Sequence, residues 1–517
     1  MNKSKKILSM TFHGLFALLW LMVLPGIMIV CFVNDILVII PALSIPVLVL
    51  NKDRVFELLE IIKEHITRCI EKYSIVTIAV FLMTIQIVIQ AYVGYEMAVT
   101  PAGDRNIIFK QASEMALNNV FKTSEEYNFY FLRYPNNQFL LMLETIWFMI
   151  LKAAGTTNFL YGNMVLNIFA IDLAIILCMI IVYKKYGKNP TILFQIMAIM
   201  FVPFYTYIPF VYTDTLVLPI VAGLVLCYEL LEEYWNNNKM KFFITLVIIG
   251  VLTWAGYALK PTVAIITLAC FIHMIIAKEW KKGIIASFAI ILVFGICLKT
   301  FNITMEKMEV IDQTNYDKEN FPYSHWIMMG LQGTGNYSLK DREYTSSFKT
   351  KKEKEKANIA MIKKRLREYG VKGLLLHQYI KSVATWSNGK YDMEFHLQRQ
   401  PKRNSWLQTI FFKDGIFYPL YDGYCTIYQW MMLIFIMVSI IYGFKRKETD
   451  SAVMWKLALF GLFLFLSIWE TKSRYIMQFV PVMFLITVDM LVKIQKNLMP
   501  VDALKKKDCN LSIAMIK

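Results

Sequence analysis

The sequence predicts an all-α polytopic membrane protein with about twelve transmembrane helices. Of its 517 residues, 57% are hydrophobic and only 18% are charged, whereas about a quarter of a soluble globular domain is charged. Apolar runs long enough to cross about 30 Å of hydrocarbon recur from one end of the chain to the other. Lysines and arginines gather in short loops between these runs, as they do in the cytoplasmic loops of membrane proteins.

The apolar runs define the candidate spans. They are 10–33, 36–50, 74–94, 159–182, 190–209, 214–230, 243–259, 262–277, 283–299, 426–444, 452–469 and 476–494. The first run predicts a retained helix, because it is too long for a signal peptide and no small-residue cleavage site follows it. Lys3, Lys5 and Lys6 place the N-terminus in the cytoplasm, so the first two runs form a hairpin.

The spans and the polar stretches between them divide the chain into six segments. They are an N-terminal transmembrane hairpin (1–50), a charged amphipathic cytoplasmic linker (51–73), a core (74–299) whose first outer loop is 95–158, an extracytoplasmic domain of mixed polarity (300–425), C-terminal transmembrane helices (426–494) and a basic cytoplasmic tail (495–517). The protein is therefore predicted to lie in the cell membrane, with two large regions outside the cytoplasm.

The segment 137–152 is apolar enough to resemble a span, but we predict a helix that lies against the membrane surface or packs on the bundle. If it crossed the membrane, Lys184, Lys185 and Lys188 would be outside, and every later basic loop would be reversed. Glu144 within the segment also disfavours full insertion.

The net charge of +17 first suggests an acidic partner such as nucleic acid. Most of the excess lies in the short loops between spans, where it orients helices, so the partner that we predict is the lipid bilayer and not nucleic acid. The eight cysteines are scattered, with no CxxC pair. This pattern predicts neither a disulfide framework nor a zinc site.

With this topology, unusual polar residues fall together on the outer face. They are Asp104 and Arg105 in "GDRNIIFKQA", Arg133 and Tyr134 in "RYPNN", Asp214 in "YTDTL", Lys260 in "LKPT", His325 in "PYSHW", and Glu470 and Arg474 in "ETKSRY". Singly, each has an ordinary interpretation, such as a helix N-cap for Asp214 or a snorkelling side chain for Lys260. Jointly they indicate a functional site, because charged groups at membrane depth are costly.

This combination of residue types indicates a particular chemistry. A carboxylate can deprotonate a hydroxyl nucleophile, and Arg and Lys side chains can hold a phosphate. A membrane-embedded cleft with both suits the transfer of a group from a lipid phosphate, whose tail stays in the bilayer, to a hydroxyl on the outer side. No metal site or other cofactor is predicted, and a divalent cation is left open.

The same motifs, in this order and on this face, resemble the GT-C superfamily of polyprenyl-phosphate-sugar-dependent glycosyltransferases. Within it they are most similar to glycosyltransferase family 39, the protein mannosyltransferase and aminoarabinose transferase branch. The resemblance covers about residues 74–495 and implies a GT-C fold with surface helices in the first outer loop. It also implies an inverting glycosyltransferase with a polyprenyl-phosphate sugar as donor. The acceptor would be a cell-surface glycan, a wall polymer or a protein outside the cytoplasm.

The resemblance also implies roles for single residues. Asp104 matches the acidic residue of the first outer loop that acts as base, and Asp214 matches the second acid. Lys260 and Arg474 resemble the basic groups near the lipid phosphate. Arg105 departs from the family pattern, which often has a second acid at this place, and it is assigned to substrate binding beside Asp104.

The remaining candidates are assigned to substrate binding. Arg133 and Tyr134 stand where the aminoarabinose-type branch has a basic residue followed by prolines, in shifted spacing. His325 and Glu470 join them from the large outer region and from the last outer turn.

Other classes of function remain open from the sequence. A transporter or flippase would carry charges in mid-membrane within broken helices, and Asp172 and Glu229 are the candidates. A lipid-linked polysaccharide ligase or polymerase would use a longer donor carried on pyrophosphate. A non-catalytic assembly protein would use the outer domain for contacts.

Overall fold

The computed structural model of the chain describes residues 3–34, 71–277 and 279–498. Helices and their connections make up this part, and its one isolated β-bridge pairs Val99 with Pro401. The α-helices of seven residues or more are α1 (Lys3–Asn34), α2 (Ile75–Glu96), α3 (Asp104–Asn118), α4 (Glu125–Arg133), α5 (Gln138–Ala153), α6 (Phe159–Tyr186), α7 (Lys188–Met200), α8 (Leu218–Tyr234), α9 (Lys239–Leu259), α10 (Ala264–Ala277), α11 (Trp280–Lys307), α12 (Ser324–Gly330), α13 (Leu339–Ser346), α14 (Lys351–Trp386), α15 (Tyr418–Arg446), α16 (Ala452–Ile468) and α17 (Val480–Leu498). Short helical turns are Pro135–Asn137, Pro203–Thr206, Thr213–Leu216, Pro261–Val263, Tyr316–Glu319, Met393–Leu397, Gln408–Phe411 and Ser473–Phe479.

Eight helices in the described ranges are long and apolar enough to cross a membrane. Their bounds are Lys5–Gly26, Ile75–Glu96, Phe159–Tyr186, Thr213–Tyr234, Lys239–Leu259, Trp280–Lys307, Tyr418–Arg446 and Ser473–Lys496. Two shorter apolar helices, Pro261–Ile276 and Ala452–Ile468, accompany them. These helices confirm the predicted class, an all-helical multi-pass membrane protein. The predicted span 36–50, nearly all of the linker 51–73 and the tail after residue 498 lie outside the described residues.

One predicted span is wrong in its form. The run 190–209 is not a continuous helix, because α7 ends at Met200 and Phe201 has an extended backbone. Pro203 then begins a separate single turn, since a proline lacks the amide hydrogen that would continue the ladder of α7. Two other boundaries move: the predicted span 283–299 belongs to a helix that continues to Lys307, and the span at 426–444 begins earlier, at Tyr418.

The first outer loop contains three helices, α3 to α5. α5 covers the ambiguous segment 137–152, packs against α3 and α6, and at 16 residues is shorter than the about 20 that a span needs. Glu144 is buried on its inner face, where it accepts a hydrogen bond of 2.9 Å from Asn163. We expected Asp104 to lie in a loop. It is instead the first residue of α3, directly after Gly103.

The two ends of the bundle differ in their polar contacts. At one end, Lys188 donates a hydrogen bond of 2.6 Å to the carbonyl of Tyr73, which joins the beginning of α2 to the α6–α7 turn. The loop between α15 and α16 lies at the same end, where Glu448 pairs with Lys456 and Lys493, and Lys185 lies 3.1 Å from Glu229. Asp104 follows the other end of α2 and therefore lies at the opposite end of the bundle.

Cysteine labelling can test this arrangement in the membrane. Single cysteines at positions 184 and 104 should react with an impermeant maleimide from opposite sides, with position 184 cytoplasmic, because the basic loops stay inside. Labelling of both positions from the same side of sealed vesicles would contradict the topology.

Candidate active site

A cavity of about 1350 Å³ lies at the end of the bundle where Asp104 is found. It is larger than the usual ligand pocket of about 300–1,000 Å³. The ends of α3, α4, α9 and α11 contribute to its wall, together with the turn between α16 and α17 and parts of the segment 316–399. All nine residues that the sequence singled out line this one cavity: Asp104, Arg105, Arg133, Tyr134, Asp214, Lys260, His325, Glu470 and Arg474.

A buried carboxylate with two cations stands in the wall of the cavity. Asp214 is only 1% exposed, and its two oxygens face different partners. One oxygen pairs with the ammonium group of Lys260, and the other accepts a hydrogen bond of 3.1 Å from the guanidinium group of Arg474. Together Asp214, Lys260 and Arg474 carry a net charge of +1. The two cations can therefore hold an anion while Asp214 keeps them in place.

Backbone breaks at helix ends bring these three residues together. Lys260 is extended, with φ −155° and ψ 105°, because the following Pro261 disfavours helical geometry in the residue before it. α9 therefore ends at Leu259. Asp214 lies in a single turn before α8, and Arg474 lies in the 3₁₀ turn that precedes α17. Each side chain thus leaves the end of a membrane helix rather than its middle.

Asp104 faces the cavity from the first turn of α3. A carboxylate at this place is favoured by the free amides and the positive end of the helix dipole. Its side chain is reached by solvent from the cavity although protein surrounds it. Burial raises the pKa of Asp104 above its ordinary value, and Arg474, Lys472 and a hydrogen bond from Tyr130 offset part of that rise. A carboxylate with a raised pKa is a stronger base than an ordinary aspartate when it carries its charge.

A chain of hydrogen bonds supports Asp104 from behind. The hydroxyl of Tyr130 reaches the Asp104 carboxylate and accepts a hydrogen bond of 2.6 Å from the side-chain amide of Asn137. The hydroxyl of Tyr212 donates to the amide oxygen of Asn137 over 3.3 Å. Asn137 ends the short turn before α5, and the first-loop helices and the 210–214 segment are joined through it.

Cations outnumber carboxylates in the cavity, with eight Lys and Arg side chains against four Asp and Glu side chains. The guanidinium groups of Arg105 and Arg474 lie 4.0 and 5.9 Å from the ring of Phe210, and the ring of His396 lies 4.1 Å from it. Burial and four neighbouring cations, which include Lys472, hold the pKa of His396 far below its ordinary value. The surplus charge favours an anionic ligand.

Sequence reasoning did not select several of these residues. Lys472 was visible between two chosen residues in "ETKSRY", whereas Arg399, Phe210 and His396 carry no local signal that separates them from ordinary loop residues. His396 and Arg399 enter the site because the outer segment folds back over the membrane helices, and Phe210 enters it from the turn that precedes Asp214.

Two of the predicted binding residues have structural partners as well. Arg133 pairs with Glu319 and lies 5.1 Å from the ring of Phe321, so it also fastens α4 to the outer region. His325 is bonded to the hydroxyl of Thr345 over 2.7 Å, and burial lowers its pKa to about 4, which leaves the ring neutral.

Two more of the predicted binding residues, Tyr134 and Glu470, face the same space. Tyr134 lies 6.5 Å from Trp326 in an edge-to-face arrangement of rings. Glu470 accepts a hydrogen bond of 3.2 Å from the hydroxyl of Tyr475.

One side of the cavity is apolar. Leu298 and Phe301 come from the outer third of α11, and Phe139 and Tyr257 come from α5 and α9. Phe301 packs edge-to-face on Phe139 with a centroid distance of 5.6 Å. An amphipathic ligand could therefore place its charged group on the cations and its chain on this wall.

The donor set at Asp214 does not fit a divalent cation, because both carboxylate oxygens are occupied by cationic side chains. Elsewhere in the described ranges, no three His, Cys, Asp or Glu side chains form a group that would hold a metal ion.

The fold and the cavity define a polytopic integral membrane protein with a charged site at one end of its helical bundle. Residues 4–493 match the family described as "Conserved hypothetical integral membrane protein", and the chain belongs to that family. None of the curated proteins matches the chain.

Three solved structures show a distant likeness. The archaeal oligosaccharyltransferase AglB from Archaeoglobus fulgidus, in complex with an inhibitory peptide and a dolichol-phosphate, is 12% identical over 84% of this chain and 52% of its own, with a TM-score of 0.44. The apo form of the Archaeoglobus fulgidus enzyme has the same identity and coverage and a TM-score of 0.45. ArnT from Cupriavidus metallidurans, bound to undecaprenyl phosphate, is 10% identical over 82% of this chain and 81% of its own, with a TM-score of 0.34.

The chain spans about half the length of the oligosaccharyltransferase chains that it matches. TM-scores of this size do not establish a shared activity, so the function is argued from the cavity alone. Membership of glycosyltransferase family 39 stays a prediction.

Proposed function

We propose that the protein is a membrane glycosyltransferase that moves a sugar from a polyprenyl-phosphate donor to a hydroxyl group outside the cytoplasm. The observation that carries the proposal is the pairing of Lys260 and Arg474 with buried Asp214 in a cavity that Asp104 also faces. The cationic group suits the phosphate of the donor, the apolar wall suits the first units of its chain, and Asp104 suits the acceptor hydroxyl.

The reaction is a single displacement at the anomeric carbon. Asp104 takes the proton from the acceptor hydroxyl as the hydroxyl oxygen forms the new bond to the anomeric carbon. The bond between this carbon and the phosphate oxygen breaks, and its electron pair leaves with the lipid phosphate. Lys260 and Arg474 stabilise the negative charge that develops on the phosphate. Attack from the face opposite the leaving group inverts the anomeric configuration.

The size of the cavity is consistent with two substrates held at once. The donor phosphate would occupy the cations at Lys260 and Arg474, and the acceptor would enter on the side of Asp104 and the outer segment. This acceptor is a cell-surface glycan, a wall polymer or a protein in our proposal. Arg105, Arg133, Tyr134, His325 and Glu470 would contact the sugar or the acceptor.

The alternative, a transporter, has weaker support. Its two candidate residues are Asp172 and Glu229. Asp172 does not line the cavity and accepts hydrogen bonds of 2.9 and 3.1 Å from Gln86 and Gln90 within the bundle. Glu229 is paired with Lys185 near the opposite end. Neither carboxylate faces the cavity, as a coupled transport site would require.

Binding of a defined lipid tests the proposal without knowledge of the sugar. The purified chain in lipid nanodiscs should bind a polyprenyl phosphate at least about 10-fold more tightly than the uncharged polyprenol of the same length, because one charged contact contributes well over 1.4 kcal/mol. Equal affinity for the two lipids would contradict the proposed phosphate site. A dolichol-length and an undecaprenyl-length phosphate can be compared in the same assay.

A further inference from the structure

The longest helix of the outer region, α14, changes character at a kink. Gly370 has φ 55° and ψ −170°, a conformation that favours glycine, and it divides α14 into residues 351–369 and 371–386. The first part is polar on its exposed face. Its exposed charged residues are Lys352, Glu353, Glu355, Lys356, Lys363, Lys364, Arg367 and Glu368.

After the kink, the exposed face is apolar. Lys372, at its beginning, is the one exposed charged residue among residues 371–386. The other large exposed side chains are Val371 (79%), Leu375 (57%), Leu376 (59%) and Ile380 (44%), and Ala384 continues the row. The spacing of these residues places them along one side of the helix. A face of this kind is unfavourable in water and favourable in lipid.

The opposite face packs on membrane helices and sets the depth of the segment. The indole rings of Trp386 and Trp20 lie 5.1 Å apart, edge to face, which joins the end of α14 to the middle of α1. Farther along, a Cβ atom at Gly26 would collide with the side chain of Tyr379, so the two helices cross closely there. Trp386 contacts Trp20, whereas Tyr379, earlier in α14, contacts Gly26, later in α1. The two helices therefore run in opposite directions.

α1 provides a measure of depth. Ser9 donates a hydrogen bond of 2.6 Å to the carbonyl of Glu448, at the end of the bundle that carries the basic loops. Trp20 is eleven residues farther along α1, a rise of about 16 Å, which is near the middle of a hydrocarbon layer of about 30 Å. Trp386 lies at this level. Val371 is about 22 Å above it along the helix, a distance that reaches past the hydrocarbon into the outer headgroup region.

α16 gives the same depth independently. Trp386 stacks on Phe463 with a centroid distance of 6.0 Å, in the second half of this helix. One turn farther, the ammonium group of Lys381 donates hydrogen bonds to the carbonyls of Ser467 and Trp469, over 3.1 and 2.7 Å, at the end of α16. Both helices place the residues after the kink between the centre of the membrane and its outer surface.

We propose that residues 371–386 form a re-entrant helix in the outer leaflet, whose partner is the acyl chains of the bilayer. The helix enters from the outer surface at the Gly370 kink, reaches mid-membrane at Trp386 and returns through the following turn. The neighbouring α1 also has exposed apolar residues, which include Leu15, Leu18 and Met22. Residues 300–425 are then not wholly outside the membrane.

The re-entrant helix also connects lipid to the cavity. Lys381 is buried and holds the end of α16, which is followed directly by Glu470 and Lys472 in the cavity wall. Lys381 is a positioning residue in this view, because it ties the turn that carries cavity residues to a helix anchored in the bilayer.

Collision measurements with a spin label test the proposal on the full chain. The eight native cysteines are replaced, and single nitroxide labels are attached at positions 376, 380 and 384 of protein in lipid nanodiscs. Labels at these positions should collide with oxygen and be protected from a water-soluble nickel chelate, with protection rising from 376 to 384. Labels at the exposed positions 356 and 360, before the kink, are matched controls and should be open to the chelate.

The outcomes are distinct because each spin label is attached at an exposed position of a folded helix. Accessibility of position 380 to the nickel chelate at the level of position 360 would overturn the proposal, as would protection that does not change with depth. The measurement does not depend on activity, so the proposal can fail while the proposed glycosyltransferase function stands, and the reverse also holds.

Discussion

Asp104→Asn should reduce sugar transfer from polyprenyl phosphate by about 10²- to 10⁴-fold, the range that general-base catalysis contributes. Asparagine keeps the size and much of the hydrogen bonding of the carboxylate but cannot accept the proton. Asp104 begins α3 at the wall of a cavity rather than in a packed core, so the loss of stability should not exceed about 1 kcal/mol, the value of a charge at a helix N-terminus. Donor binding should survive, because the cations at Asp214 hold the phosphate.

The pH dependence gives a second measure of the same role. Because its pKa is raised by burial, Asp104 becomes protonated, and activity is lost, at a higher pH than for an ordinary aspartate. The acidic limb of kcat/KM should therefore lie above the usual range of the aspartate pKa, and it should be absent from the residual activity of Asp104→Asn. Glu114→Gln, an exposed acid on the same helix, is the matched control and should behave like the wild type. Near-normal transfer by Asp104→Asn would exclude this residue as the base.

Arg474→Ala should weaken binding of polyprenyl phosphate by at least about 30-fold. Truncation of one partner of a buried charged contact costs about 2–5 kcal/mol, and 1.4 kcal/mol corresponds to a factor of ten. The fold should persist, because Asp214 keeps Lys260 as a partner. Arg474→Lys should bind with intermediate affinity, since an ammonium group lacks the planar fork of guanidinium. The measurement is lipid binding in nanodiscs, with thermal unfolding as the check on folding.

A matched control separates a local effect from a general loss of charge. Arg446 is an exposed arginine at the opposite end of the bundle, and Arg446→Ala should leave the affinity unchanged. If Arg474→Ala binds the lipid within twofold of the wild type, Arg474 does not contact the phosphate. Its pairing with Asp214 would then serve only to join the 3₁₀ turn to the 213–216 segment.

Much of the architecture could be predicted from local patterns. Eight of the twelve apolar runs correspond to helices of spanning length in the described residues, because crossing hydrocarbon requires about 20 apolar residues whatever the neighbours are. The run 190–209 was predicted to be one span and is not, because apolar composition alone does not show where a helix breaks. Phe201 and Pro203 interrupt it, and the segment that follows carries Asp214 into the cavity. The break in the helix therefore helps to form the site.

By itself, the sequence determined the membrane class, the order of the helices and the grouping of acids and bases at helix ends on one side. These follow from composition and from charge asymmetry, which act locally along the chain. Only the tertiary structure decided that Asp214 binds both Lys260 and Arg474, which are 46 and 260 residues away. It also decided that the second half of α14 lies beside α1. Such contacts depend on how separate helices pack, and a pattern within one segment carries no information about which distant segment will cover it.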